Sequence, residues 1–206
     1  MQMGSGVDVS ADRAFTANLL GTLALTITDR VAIGTARAAR HGASTPAALL
    51  CLWWYPDRPI AFLATRLRIS HPGAVQLVDR LAGDGLAERV PAADGRTKLL
   101  ALTDRGRSAA AAVLAARAGV LQRAVDVLDD EQVRALAGAA EAMLEALTDT
   151  LLTGEYMCRL CDELACPDAR CPVERATPTP PHRRGTGYGV TEATTAPPAT
   201  ATHILP

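Results

Sequence analysis

The stretch that most constrains this chain of 206 residues runs from Pro59 to Leu102, because its periodicity changes partway along. "PIAFLATRLRIS" opens with a proline suited to a first helical turn. "SHPGAVQLVDRLAGDG" follows, with Ser70 placed to cap a second short helix and Gly83 and Gly85 placed to end it. Within it Val75, Val78 and Leu81 recur at helical spacing, with Leu77 alongside. The spacing then drops to two. Leu86 to Val90 and Thr97 to Leu102 read as strands around "AADGR", whose Asp-Gly step favours a hairpin turn.

The flanks are helical. From Ala11 to about Arg40, Phe15, Leu19, Leu20, Leu23, Ile27 and Val31 form an apolar stripe, and "HGAS" then breaks the helix. Pro46 to Trp54 is a short apolar helix stopped by "YPDRP". Thr103 can cap a helix to about Val127, and Asp129 with Gln132 forms a capping-box pattern for another to about Leu152. Hydrophobic residues make up 49% and aromatics only 3%, so the core must be built from Ala, Leu and Val. The net charge of -1 favours no polyanionic partner by itself, but the charge is uneven. Residues 57–103 carry seven basic and five acidic side chains, whereas 104–153 carry five arginines and eight acids.

Two short helices, a tight turn and a hairpin make a winged helix-turn-helix, over about 45–103. That element lays its second helix in a major groove and its hairpin tip on adjacent backbone or minor groove. The fold class expected is mainly α with a small β-hairpin wing, spanning 11–153. The long helices over about 11–40 and 104–153 exceed what such a module needs. Their apolar stripes call for a partner, and a homodimer would present two recognition helices to a pseudo-palindromic duplex. Residues 1–10 read as a flexible start. Residues 176–206, rich in Pro, Thr and Gly, read as a disordered tail. No basic, then apolar, leader opens the chain and no run approaches 18 uninterrupted apolar residues, so a cytoplasmic protein without a membrane span is expected.

The block "LATRLRISHPGAVQLVDRLAGDGLAERVPAADGRTKLLALTDRG" resembles the signature region of MarR-type transcriptional regulators. "LVDRL" late in the second helix, "GL-x-x-R" entering the first strand, "D-x-R" at the wing and "LT-x-x-G" opening the next helix carry the likeness, strongest over about 60–106. The resemblance implies a dimeric repressor in which Ser70, His71, Pro72, Gly73, Gln76 and Arg80 face DNA. It makes Arg96 the wing arginine, with Asp94 orienting the wing and Lys98 adding charge toward the backbone. It also implies a small-molecule effector pocket bordered by Trp53, Trp54 and Tyr55, although core packing explains the same residues. Val75 and Gln76 depart from the Ser or Thr and Arg that often stand there. Gln76 can still read adenine, but it brings no charge to a phosphate. Arg80 has a second reading, as an i+4 partner of Asp84.

The resemblance stops before Cys158, Cys161, Cys166 and Cys171, the four cysteines of residues 154–175, spaced x2, x4, x4. Four thiolates around one centre suit zinc or an iron–sulfur cluster, and a metal-free dithiol switch is the third possibility. The placement is similar to that of the cluster loop in MerR-type redox sensors, with different spacing. As a clip the loop fastens the end of the dimer; as a sensor it takes in redox state or iron. Cys51, within "ALLCLWW", reads as a small buried hydrophobe. No Ser/His/Asp set and no Gly-rich phosphate loop after a strand has recognisable context, so no enzyme is expected. The alternative to DNA binding is a metal-bearing adaptor that uses the winged helix to bind protein.

Overall fold

The computed structural model describes residues 9–39, 44–93, 95–166 and 169–177. The "HGAS" break up to Ala43, Asp94, most of the expected flexible start and the expected tail from 178 onward lie outside the described residues. Helix α1 spans Val9–Ala39 and α2 spans Thr45–Trp54. α2 has no polar face. Every residue from Thr45 to Leu52 is buried, as expected of a helix apolar all round. Leu49, Leu50 and Leu52 of α2 share a core with Leu63, Leu77, Val78, Leu81, Leu100 and Val113 from the surrounding elements.

The helix-turn-helix follows. α3 spans Ile60–Leu67 and ends at Arg68, which takes a left-handed conformation (φ 51°) and returns its N–H to Ala64 and Thr65. Ser70 is extended, and its Oγ accepts from the Gly73 N–H at 3.2 Å, so it caps α4, His71–Gly83. Gly85, at φ +65°, turns the chain into the wing. Strands β2 (Ala87–Pro91) and β3 (Lys98–Leu102) pair antiparallel, with Arg89 opposite Leu100. A third strand, β1 (Arg58–Pro59), joins the other edge of β3, giving the order β1-β3-β2. A strand of two residues, one of them a proline, carries no period, so nothing in the pattern announces it.

Thr103 links wing and helix. Its Oγ donates to the Gly85 carbonyl at 2.6 Å and accepts from the Gly106 N–H at 3.0 Å, capping α5, Asp104–Val125. α5 packs along α1 and against α2. The capping box at Asp129 and Gln132 opens α6, Asp130–Leu147, as the sequence implied. The expected end at Leu152 is corrected. α6 stops at Leu147, and Thr150 caps a separate helix α7, Leu151–Met157, by accepting from the Thr153 N–H. The stretch Thr148-Asp149-Thr150 explains the break, because short hydroxyl and carboxyl side chains compete for backbone groups and favour caps. The cysteine-bearing stretch also closes with a short helix, α8, Pro172–Ala176.

Two helices keep apolar surface uncovered. α1 buries Val31, Thr35 and Ala39 but leaves Phe15 (64%), Leu19, Leu20, Leu23 and Leu25 exposed. α6 buries no residue. Part of α1, Asp12–Ala39, is long and apolar enough to cross a membrane by length and composition alone, but Asp29 and Arg30 interrupt it, so it holds no uninterrupted apolar run.

The close approach of α5 to the wing gives a test. A Cβ on Gly106 would overlap the Leu86 carbonyl, whereas one on Gly83 meets nothing within 4 Å. Gly106→Ala is expected to cost about 2–4 kcal/mol in thermal or denaturant unfolding, and Gly83→Ala to be neutral or slightly stabilising. Equal effects at the two positions would contradict the packing.

Candidate nucleic-acid interface and the four-thiol segment

Helix α4 divides into two faces. Ala74, Leu77, Val78 and Leu81 are buried, while His71, Pro72, Gln76 and Arg80 are exposed and Gly73 and Val75 are half-buried. Ser70 and Gly73 shape the start of the helix, since the Ser70 hydroxyl is engaged as the cap. At the wing tip Gly95 sits at φ +65°, and the Ala92 N–H donates to the Thr97 carbonyl at 2.9 Å, which turns the strand and holds Arg96 and Lys98 at the exposed end. Asp94 lies outside the described residues.

The wing is also tied to α4 by a pair that sequence reasoning did not single out. Arg89 of β2 donates to the Asp79 carboxylate of α4 at 2.6 Å. These are the arginine of "GLAER" and the aspartate of "LVDRL", so the motifs that carried the resemblance meet in space. Asp79 is 58% and Arg89 33% exposed, so the pair is worth about 1 kcal/mol or less and mainly sets orientation.

The cysteine segment lies against this lobe rather than trailing beyond the dimerisation helices, as sequence order had implied. The Trp54 indole N–H, at the end of α2, donates to the Cys161 carbonyl at 3.1 Å. Arg66 of α3 is buried, with its guanidinium 4.1 Å from the Tyr55 ring centroid and 3.8 Å from the Glu155 carboxylate of α7. Arg68, in the turn of the helix-turn-helix, donates to the Thr153 hydroxyl at 3.0 Å and stands 5.1 Å from the Tyr156 ring centre. On its other side the segment meets α6, where Arg175 of α8 reaches Glu141 and Glu145.

Cys158, Cys161, Cys166 and Cys171 all line one cavity of about 30 Å³, together with Tyr55, Arg66, Gly154, Glu155, Glu163 and Glu174. The thiols are unbonded. They fall into two hydrogen-bonded pairs, Cys158 with Cys161 and Cys166 with Cys171. The hydrogen bond from Cys158 holds Cys161 down at about 7 against burial, with Arg117 assisting, and pushes Cys158 itself well above the thiol range. Burial, followed by the charge of Cys171, raises Cys166 to about 11. Cys51 is buried in the core, and its thiol too is pushed up to about 11, chiefly by desolvation. Among the described residues no group of three or more His, Cys, Asp or Glu side chains is drawn together closely enough to hold a metal ion, so the thiols stand as two pairs around a gap.

Trp53, Trp54 and Tyr55 are half-buried. The two indoles meet edge-on at 6.3 Å. Trp54 and Tyr55 border a second cavity of about 10 Å³ beside Cys51 and Cys158. Both cavities are far below the roughly 300–1,000 Å³ of small-molecule sites.

Arg66 carries the test of this docking. Its loss leaves Glu155 half of an almost buried pair, so Arg66→Ala is expected to cost about 3 kcal/mol in denaturant unfolding and to expose the stretch around Tyr156 to limited proteolysis. Wild-type stability and cleavage would contradict the contact.

No protein-family model and no curated protein matches the sequence. Solved structures do. The YusO protein from Bacillus subtilis matches at 19% identity and a TM-score of 0.62, over 68% of this chain and 99% of its own. A MarR family protein from Bacillus stearothermophilus matches at 18% identity and a TM-score of 0.59, over 69% of this chain and 100% of its own. An S. aureus MepR mutant bound to an oligodeoxyribonucleotide matches at 18% identity and a TM-score of 0.52, over 64% of this chain and 97% of its own. With α4 as the second helix of its helix-turn-helix, a three-stranded wing and long flanking helices, the chain has the winged helix-turn-helix fold seen in MarR-type regulators.

Proposed function

We propose that this chain is a sequence-specific regulator of transcription that binds duplex DNA as a homodimer and represses from a pseudo-palindromic operator. The observation that carries the reading is the division of α4. Its apolar side is used up in the core, while His71, Gln76 and Arg80 face outward beside a wing that displays Arg96 and Lys98. The same fold is seen bound to an oligodeoxyribonucleotide in the MepR mutant. Gln76 supplies the side chain that can bond adenine at two points, and Arg96 and Lys98 supply charge to the backbone or minor groove. With a net charge of -1, attraction to DNA must come from such local charge rather than from the whole molecule.

The dimer follows from the uncovered apolar faces. Phe15, Leu19, Leu20 and Leu23 on α1, and Val133, Leu136, Leu144 and Leu147 on α6, are exposed in a single copy. Apolar surface of that extent marks an interface, and a second copy repeats it with two-fold symmetry. Repression needs nothing beyond occupancy of a site that overlaps a promoter. The cysteine segment, docked on α2 and α3, is the part through which a chemical signal would reach the DNA-binding lobe.

A duplex selected from a random pool provides the probe. Arg96→Ala is expected to weaken its binding about tenfold or more and to lower the salt slope by about one phosphate contact per chain. Gln76→Ala is expected to lose about 1–3 kcal/mol of discrimination at one A·T pair of each half-site. Unchanged affinity and unchanged base preference in a mobility-shift titration would overturn the reading. Leu19→Glu combined with Leu23→Glu is expected to yield monomers in sedimentation; a persistent dimer would place the interface elsewhere.

A further inference from the structure

Nothing in the DNA-binding surface uses the four thiols. Among the described residues the segment that carries them has two short helices, α7 and α8, so it needs some other tie to hold its shape. We propose that Cys158, Cys161, Cys166 and Cys171 bind one soft divalent cation, zinc by its chemistry, and that this ion fastens residues 154–177 to α2 and α3.

Several features converge. The donor set is all thiol, which suits tetrahedral zinc. The thiols stand as two hydrogen-bonded pairs on the wall of one cavity, and Zn–S bonds of about 2.3 Å would set all four sulfurs roughly 3.8 Å apart. Closure then requires the pairs to approach each other across the gap. The cavity, at about 30 Å³, holds one or two water-sized bodies, room for a single ion. The surroundings also suit the charge. Zinc with four thiolates carries a net charge of -2; Arg117 acts on Cys161 and Cys166, and Arg66 lines the cavity in its pair with Glu155, so two cations stand near the thiolates. Glu155, Glu163 and Glu174 also border it, but Glu155 faces Arg66, and each of the three has a partner of its own. The outer contact is in place too, because Trp54 holds the Cys161 carbonyl.

Binding changes no oxidation state. Four S–H groups become four Zn–S bonds, and the protons pass to solvent, fewer where a thiol is already ionised. The ion then acts on the lobe through the Trp54–Cys161, Arg66–Glu155 and Arg68–Thr153 contacts. That last effect rests on the proposed DNA-binding function; the metal site does not.

The test uses the full chain purified under reducing conditions without chelator. Elemental analysis is expected to give one zinc per chain. Cobalt substitution should give the visible bands of tetrahedral thiolate coordination. Cys161→Ser and Cys171→Ser should each weaken zinc binding at least a hundredfold, with Cys51→Ser unchanged. Chelation should lower the melting temperature by several degrees and weaken binding of a selected duplex about fivefold or more. Four free thiols without metal, two disulfides, or iron with labile sulfide would overturn the site. Zinc bound at one per chain with duplex affinity unmoved by chelation would overturn only the coupling. Zinc-loaded protein that selects no duplex at all would overturn the DNA reading and leave the site standing.

Discussion

The complete burial of α2 is the constraint on which the rest depends. A helix with eight consecutive buried residues cannot lie on a surface, so other elements must enclose it. α5 packs on it, as do α1, α3 and β3, which gathers the recognition helix, the wing and the long helices around one core. Burying Leu49, Leu50 and Leu52 alone is worth roughly 5–9 kcal/mol before chain entropy, comparable to the net stability of a domain. The helix ends at Trp54 and Tyr55, the side chains that meet the cysteine segment. One helix thus serves as the floor of the winged helix-turn-helix lobe and the wall of the thiol cavity.

Two ion pairs then do different work. Arg89 with Asp79 is solvent-exposed and contributes little energy, but it fixes the angle between wing and α4. Arg66 with Glu155 is nearly buried, so losing either partner leaves a charge out of water. The first belongs to the face formed by α4 and the wing. The second joins α3, the first helix of the helix-turn-helix, to α7, from whose end the cysteine stretch runs. A change at the thiols therefore has a short physical path to the winged helix-turn-helix. It passes through packed side chains and does not need to travel along the long helices α1 and α5.

Local physics was legible in the sequence. Ser70, Thr103 and the Asp129–Gln132 box cap the helices they were expected to cap, and "AADGR" turns between the expected strands, because each depends on neighbours within a few residues. The break at Thr148 was hidden by a helical pattern that continues into "LLTGEYM". Long-range placement was not legible either. Trp54 and Cys161 are 107 positions apart, and nothing near either one announces the hydrogen bond. The stripe on α1 was visible, but not that Val31, Thr35 and Ala39 are covered within the chain while Phe15, Leu19, Leu20 and Leu23 stay exposed. Asp79 and Arg89 were visible as motif letters; their pairing required the wing to fold back on α4.

Hydroxyl-radical footprinting on a duplex selected by the full-length protein tests the central claim most directly. Two recognition helices held by a two-fold dimer should protect two symmetric half-sites about one helical turn apart, or a whole multiple of that, on one face of the duplex. A single protected patch, or no selectable duplex, would contradict the account.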